Sequence, residues 1–212
     1  MDLLSAPLTS AYLLITILTS YRAFTDIELK RKFMFNPYLV KNHNQWYRAL
    51  SHGIIHSGPV HLFFNMFVLY SFGMFVEYQF VGLWGELEGR LCYLALYVGG
   101  LLFATLPAFT KHHNNPGYNS LGASGAVYAV LIAAILLNPL NDLLLMFFIP
   151  IKAWIAGILI FFFESYMNKK GGTRIAHDAH LAGAIYGLIL VFLLDYKIFI
   201  HFSDQVSNYL GF

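Results

Sequence analysis

Apolar stretches close to the thickness of a bilayer recur along this chain, and no core of its size could bury them all. A helix needs roughly 20 mostly apolar residues to cross a hydrocarbon layer about 30 Å thick. The sequence offers six such stretches, at about 6–22, 59–80, 91–109, 121–138, 153–167 and 177–196. Composition agrees: of 212 residues, 58% are hydrophobic and 11% charged, where a soluble domain carries about 25% charged residues. A water-soluble fold would lack the polar residues to cover its surface, and so apolar a chain does not stay disordered. The formal net charge of +2 provides no basic stripe for nucleic acid. The single cysteine, Cys92, can form neither an internal disulfide nor a cysteine-based metal site.

Lipid offers no partner to an unpaired backbone group, so the expected fold is an all-α membrane protein, one domain over 1–212 with six transmembrane helices. The first stretch, between Asp2 and Arg22, is expected to remain as an anchor. The chain opens Met1-Asp2 with no basic segment of the kind a cleaved signal carries. Residues 23–57 mix Lys30-Arg31-Lys32 with Trp46-Tyr47-Arg48, which suits a long interfacial first loop. Lys111-His112-His113-Asn114-Asn115-Pro116-Gly117 reads as a turn. Pro150 and Lys152 interrupt the fifth stretch, so 143–152 is expected at the interface and the span from Ala153.

Polar residues inside spans are functional candidates because each is costly there. Span two opens with His61 and Asn65, four residues apart and on one helical face. Span four opens with Gly122-Ala123-Ser124-Gly125, and span six with His177-Asp178-Ala179-His180. Even-numbered spans run in one direction, so the three groups share one end of the bundle. Small residues recur every fourth position at Gly125, Ala129 and Ala133 and at Ala179, Gly183 and Gly187. That spacing lets two membrane helices touch backbone to backbone, which would bring Ser124 and His180 within reach of each other. Taken singly, Ser124 could be a small packing residue, His180 an interhelical hydrogen bond, and His61 with Asn65 a polar stitch.

His61-x-x-x-Asn65, Gly122-Ala123-Ser124-Gly125 and Ala179-His180-x-x-Gly183-x-x-x-Gly187, in this order, resemble the rhomboid family of intramembrane serine proteases. His52, His56 and Glu77 also look like that family's pattern. The resemblance covers the whole six-helix core. It implies that Ser124 is a nucleophile and His180 its general base, a dyad without an acid. It also implies that His61 and Asn65 stabilise the oxyanion together with the Ser124 backbone N–H. Tyr128 would stack on the imidazole, ordinary packing being the alternative, and Gly122 and Gly125 would allow close backbone approach. Substrates would be transmembrane segments of other proteins met in the bilayer, with no cofactor and no metal.

Asp178 stands two residues before His180 on a helix and points away from it. His177 could line the mouth of the site or be a solvated helix end. Arg48 and Glu77 suit structural roles. The family often sets Trp and Arg side by side in the first loop, whereas Tyr47 separates Trp46 from Arg48 here. Arg22, Lys30, Arg31, Lys32, Lys41, Arg48, Lys111, Lys169, Lys170 and Arg174 share the face of the site, and Arg90, Lys152 and Lys197 lie opposite. The positive-inside rule turns that face to the cytoplasm; the family usually opens the other way, and the family's orientation is the one expected here, in a bacterial-type cell membrane. Two rival readings are a non-catalytic rhomboid-like protein that binds membrane helices and a histidine-rich di-iron hydroxylase. The second lacks the usual His-x-x-His-His clusters and leaves Ser124 and the small-residue stripes idle.

Overall fold

The computed structural model describes residues 5–145, 148–172 and 175–212. Asp2 and Arg174, which entered the reading of the first span and of the charge distribution, lie outside them. The elements are α1 (Pro7–Thr25), α2 (Ile27–Phe33), α3 (Pro37–His43), α4 (Arg48–Ser51), α5 (Pro59–Val68), α6 (Met74–Trp84), α7 (Glu86–His112), α8 (Ser124–Leu137), β1 (Asp142–Leu145), β2 (Ile149–Lys152), α9 (Ala153–Lys170), α10 (His177–Leu194) and α11 (Lys197–Leu210). A single π turn, Leu69–Gly73, joins α5 to α6, so that Pro59–Trp84 runs on as one long apolar helix.

Among the described residues three helices are long and apolar enough to cross a membrane: Pro59–Trp84, Glu86–His112 and His177–Leu194. The apolar α8 is shorter and lies at the centre. Ten of its fourteen residues are buried, against α7 on one side and α10 on the other. A Cβ on Gly183 would lie 2.1 Å from the Gly125 carbonyl oxygen, and one on Gly187 would lie 2.6 Å from that of Ala129. Both partners advance by four residues, so α8 and α10 run parallel with their backbones in contact. On the other side Ala104 meets Gly125 and Gly100 meets Ala129, a reversed order that makes α7 antiparallel to α8.

Three features depart from the sequence reading. The 23–57 region is not one loose interfacial loop. It contains α2, α3 and α4, with Asp26 accepting from Leu29 N–H at 2.9 Å and Asn36 from Leu39 N–H at 2.9 Å as helix caps. The Arg48 guanidinium is buried and donates to the carbonyls of Arg31 at 2.8 Å and Met34 at 2.7 Å, tying these short helices together. Asp142–Leu145 and Ile149–Lys152 pair as two antiparallel strands, Asp142 opposite Lys152 with an ion pair of 2.8 Å between them. Among the described residues the fold is therefore helical with one small pair of strands. After Asp195 the chain turns into an unforeseen amphipathic helix, α11, whose Phe199 and Phe202 rest on the core.

Glu77 anchors the end of the bundle away from these loops. It is fully buried and accepts from Leu8 N–H at 3.0 Å and Thr9 N–H at 2.8 Å. The Thr9 hydroxyl lies 2.8 Å from both Glu77 and the Tyr93 hydroxyl. The N-cap of α1 is Ala6, which has no side-chain cap of its own. A carboxylate from α6 therefore satisfies the first N–H groups of α1 and meets the positive end of its dipole. Glu77→Ala strands these buried donors and is expected to lower stability by about 2–4 kcal/mol. Glu77→Gln keeps one acceptor and should lose less. Thermal unfolding of both variants in detergent checks the order, and equal midpoints for Ala and wild type would remove this role.

Candidate active site

The site is built on the first turn of α8 and the turn before it. Gly122 has φ +119°, and a Cβ there would lie 2.8 Å from His61 Cε1 and 3.1 Å from its Nε2. Only glycine suits both the backbone angle and the space. Gly122 N–H donates to the His52 carbonyl at 2.9 Å, and Ala123 N–H donates to His56 Nε2 at 3.3 Å. That donor fixes the neutral tautomer of His56, since Nε2 accepts and Nδ1 must carry the proton. Nδ1 lies 3.0 Å from the Ser20 hydroxyl, which donates onward to the Ile54 carbonyl at 3.2 Å. A chain of hydrogen bonds from α1 thus holds the residue just before Ser124.

The first loop grips the same segment from outside. Phe35 and Ser120 exchange backbone hydrogen bonds of 2.9 and 3.0 Å, and the Asn36 amide donates to the Pro116 carbonyl at 3.0 Å. The 52–56 segment and the α2–α3 region together fix the path of the chain into α8.

Ser124 is half-buried at the start of α8. The α8–α10 register places it level with Ala182, two residues beyond His180, or about 3 Å along the axis at 1.5 Å per residue. Among the described residues no hydrogen bond joins the two. Tyr128, one turn beyond Ser124, stacks on the His180 imidazole with ring centres 4.5 Å apart and planes at 12°. On the other flank His61 stands with its Nδ1 3.0 Å from the Ser57 hydroxyl and its ring 4.9 Å from that of His56. His61 is also an electrostatic neighbour of His180. Asn65 is buried, its amide donating to the His61 carbonyl at 2.9 Å. Ser124, His180, His61, Asn65, Gly122 and Tyr128 therefore converge at one end of the bundle, and Gly125, Gly183 and Gly187 form the helix contact beneath them.

Two expectations are corrected. His180 does have an acid beside it: Glu164 of α9, 3% exposed, with Oε1 3.1 Å from His180 Nδ1. Glu164 also meets His177 Nδ1 at 2.5 Å and accepts from the Tyr128 hydroxyl. His177 is accordingly no solvated helix end but 4% exposed and bound to Glu164. Sequence reasoning missed this carboxylate, although an acid behind Phe161-Phe162-Phe163 in a predicted span is itself a functional signal. Asp178 faces elsewhere and pairs with Lys111 of α7 at 2.7 Å. Ligand atoms of Glu164, His177 and His180 lie within 4.8 Å of one another, a set able to hold a metal ion. Here both imidazole nitrogens that face the carboxylate bond to it.

Parallel membrane helices in backbone contact, with a serine, two histidines and an asparagine gathered at one end, define a polytopic membrane protein with a polar site inside its bundle. Residues 43–197 match the rhomboid domain, and the chain belongs to the rhomboid family. It is an integral membrane protein. It is 31% identical over 175 residues to RHOMBOID-like protein 12, mitochondrial, of Arabidopsis thaliana, covering 75% of this chain and 51% of the relative. It is 26% identical over 161 residues to Rhomboid protease GlpG of Haemophilus influenzae, covering 76% of each. Rhomboid-like protein 11, chloroplastic, of Arabidopsis thaliana is 31% identical over 179 residues, 74% of this chain and 56% of the relative. The chain thus spans about half the length of the two plant relatives. Mitochondrial and chloroplastic names stand beside a bacterial one, so kinship points to no particular membrane and the expected bacterial one loses its support.

Burial holds the His52 imidazole down from an ordinary 6.5 to about 4. Burial, aided by the neighbouring His61 and His52 rings, holds His56 at about 3. Both are neutral when folded, whereas an unfolded chain takes up these protons near pH 6.5. Stability is therefore complete above about pH 6.5 and falls as the pH drops toward 4, by about 1.4 kcal/mol per histidine per unit. Thermal unfolding in detergent from about pH 7 to about pH 4.5 should show this decline. His56→Gln removes one titrating group and should flatten the slope; a slope equal to that of wild type would clear His56.

Proposed function

We propose that this chain is an intramembrane serine endopeptidase that hydrolyses peptide bonds in or near transmembrane segments of other membrane proteins. The observation that carries the reading is the α8–α10 register, which sets Ser124 and His180 about 3 Å apart in level with Tyr128 stacked on the imidazole. Kinship with a relative named as a rhomboid protease supports it.

On this reading His180 Nε2 takes the proton from Ser124 Oγ as the oxygen attacks the scissile carbonyl. It then returns that proton to the leaving amine. Water repeats the cycle on the acyl-enzyme and regenerates the serine. The tetrahedral oxyanion needs preorganised donors. The Ser124 N–H lies in the first turn of α8, where backbone donors lack helical partners. If the Ser57 hydroxyl donates to His61 Nδ1, the proton of that ring sits on Nε2, facing Gly122 and the oxyanion; Asn65 is the third donor. No cofactor enters these steps.

On the six-span reading α8 is the central helix of the bundle. At fourteen residues α8 measures about 21 Å against a layer about 30 Å thick. If its far end reaches the opposite face, Ser124 is recessed below the near one. Water then reaches it from the loop side and substrate from the lipid side, after local unwinding frees a scissile carbonyl.

Fluorophosphonate labelling of the detergent-purified protein tests the reading without the true substrate. Wild type should label, and Ser124→Ala and His180→Ala should not. His61→Ala and Asn65→Ala should slow labelling, each by about 10²–10³-fold if it donates to the oxyanion. A well-folded wild type that stays unlabelled would favour the non-catalytic helix-binding alternative.

A further inference from the structure

The buried carboxylate of Glu164 has no part in the dyad just described, yet its surroundings are those of a built device. It lies in α9, which packs against α8 and α10, in the cleft formed by Tyr128, Gly157, Ile160, Phe161, His180 and Leu181. Three donors converge on its two oxygens. Tyr128 and His180 Nδ1 share Oε1, and His177 Nδ1 takes Oε2. An ionised carboxylate only accepts, so each ring nitrogen facing it carries a proton. In neutral His180 that leaves Nε2 bare, which is the nitrogen a general base must offer to a serine.

We propose that Glu164 is a positioning residue for His180: it fixes the imidazole tautomer and steadies the imidazolium formed when Ser124 gives up its proton. The inference rests on the protease reading above. The proton moves from Ser124 Oγ to His180 Nε2 and on to the leaving amine nitrogen, while the Nδ1 proton stays on the ring and Glu164 stays ionised. This is the division of labour of a serine–histidine–carboxylate triad, with the acid supplied from a third helix. Tyr128 and His177 act one step further out. Tyr128 clamps the ring face and the carboxylate together, and His177 holds the second oxygen so that the first stays on His180.

The titratable groups around His180 are Glu164 on α9, Tyr128 on α8, His177 on its own helix and His61 on α5. The Lys111–Asp178 pair stands at the same end of α10. Among the described residues touching His180, Glu164 is the one anion.

The experiment measures kcat and KM for wild type, Glu164→Gln and Glu164→Asp on one fluorogenic transmembrane peptide, across pH, with thermal unfolding as the check on folding. In Glu164→Gln, kcat should fall by about 10²–10⁴-fold with little change in KM. Its acid limb should move to lower pH, because an anion beside the dyad is gone. Glu164→Asp, which restores the charge, should recover part of the rate and move the limb back; it also carries the test if Glu164→Gln does not fold. A folded Glu164→Gln with wild-type kcat, or a slower one whose acid limb stays in place, overturns the proposal. So does wild-type activity that a chelator abolishes and zinc restores, because the cluster would then be a metal centre. If wild-type cleavage persists in Ser124→Ala, the protease reading itself has failed, and Glu164 is not what failed.

Discussion

Everything at this site hangs on how closely α8 approaches α10. In a bilayer the apolar effect does not drive helices together, and van der Waals contact between backbones must do so. Gly183 and Gly187 lie against Gly125 and Ala129 with no room for a Cβ, and this contact fixes axial register as well as distance. On the proposed protease reading, register is the quantity that matters for chemistry. Sliding one helix by a single turn would move His180 about 5.4 Å relative to Ser124, beyond the reach of the proposed proton transfer. The same four-residue spacing that permits contact therefore also indexes the two side chains.

A second constraint acts on the other side of Ser124. The helix contact positions α8 as a body, but the first turn of a helix is where chains fray, and four N–H groups there lack helical partners. Here the preceding residues are tied to the loops instead: Gly122 to the His52 carbonyl, Ala123 to His56, and Ser120 to Phe35. The 23–57 region, with its short capped helices and buried Arg48, supplies these ties. Its role is architectural, and its contacts explain why so polar a region folds rather than lying loosely on the membrane surface.

How much of this was legible in the sequence depended on the range of the signal. His61 and Asn65, the Gly-Ala-Ser-Gly turn and the two small-residue stripes are local patterns with a direct physical meaning, so the convergence of spans two, four and six could be read from spacing. The short helices α2 to α4 and the β1–β2 pair were not, because caps and tertiary contacts rather than a strong apolar period decide them; α11 does carry an amphipathic period, which the reading passed over. Arg48 and Glu77 were assigned structural roles without partners, and the partners include backbone groups that no sequence pattern names. Glu164 shows the same blindness at the site. Attention to residues flanking His180 in sequence led to Asp178 and away from it, while the acid that reaches the imidazole comes from another helix.

The contrast between those two carboxylates follows from what each can afford to leave in water. Asp178, 22% exposed, pairs with Lys111 at the rim, where solvent screens the charge and the pair is worth little beyond about 1 kcal/mol. Glu164 sits 3% exposed inside the bundle, where an unpaired carboxylate would shed its charge. Three donors make ionisation tolerable there, and two belong to imidazoles. A charge kept in a low-dielectric pocket acts more strongly on its neighbour than one in solvent, so only the buried acid has leverage over His180. Span five, the least regular of the expected helices, thus carries a group whose position in the bundle is as demanding as that of the serine.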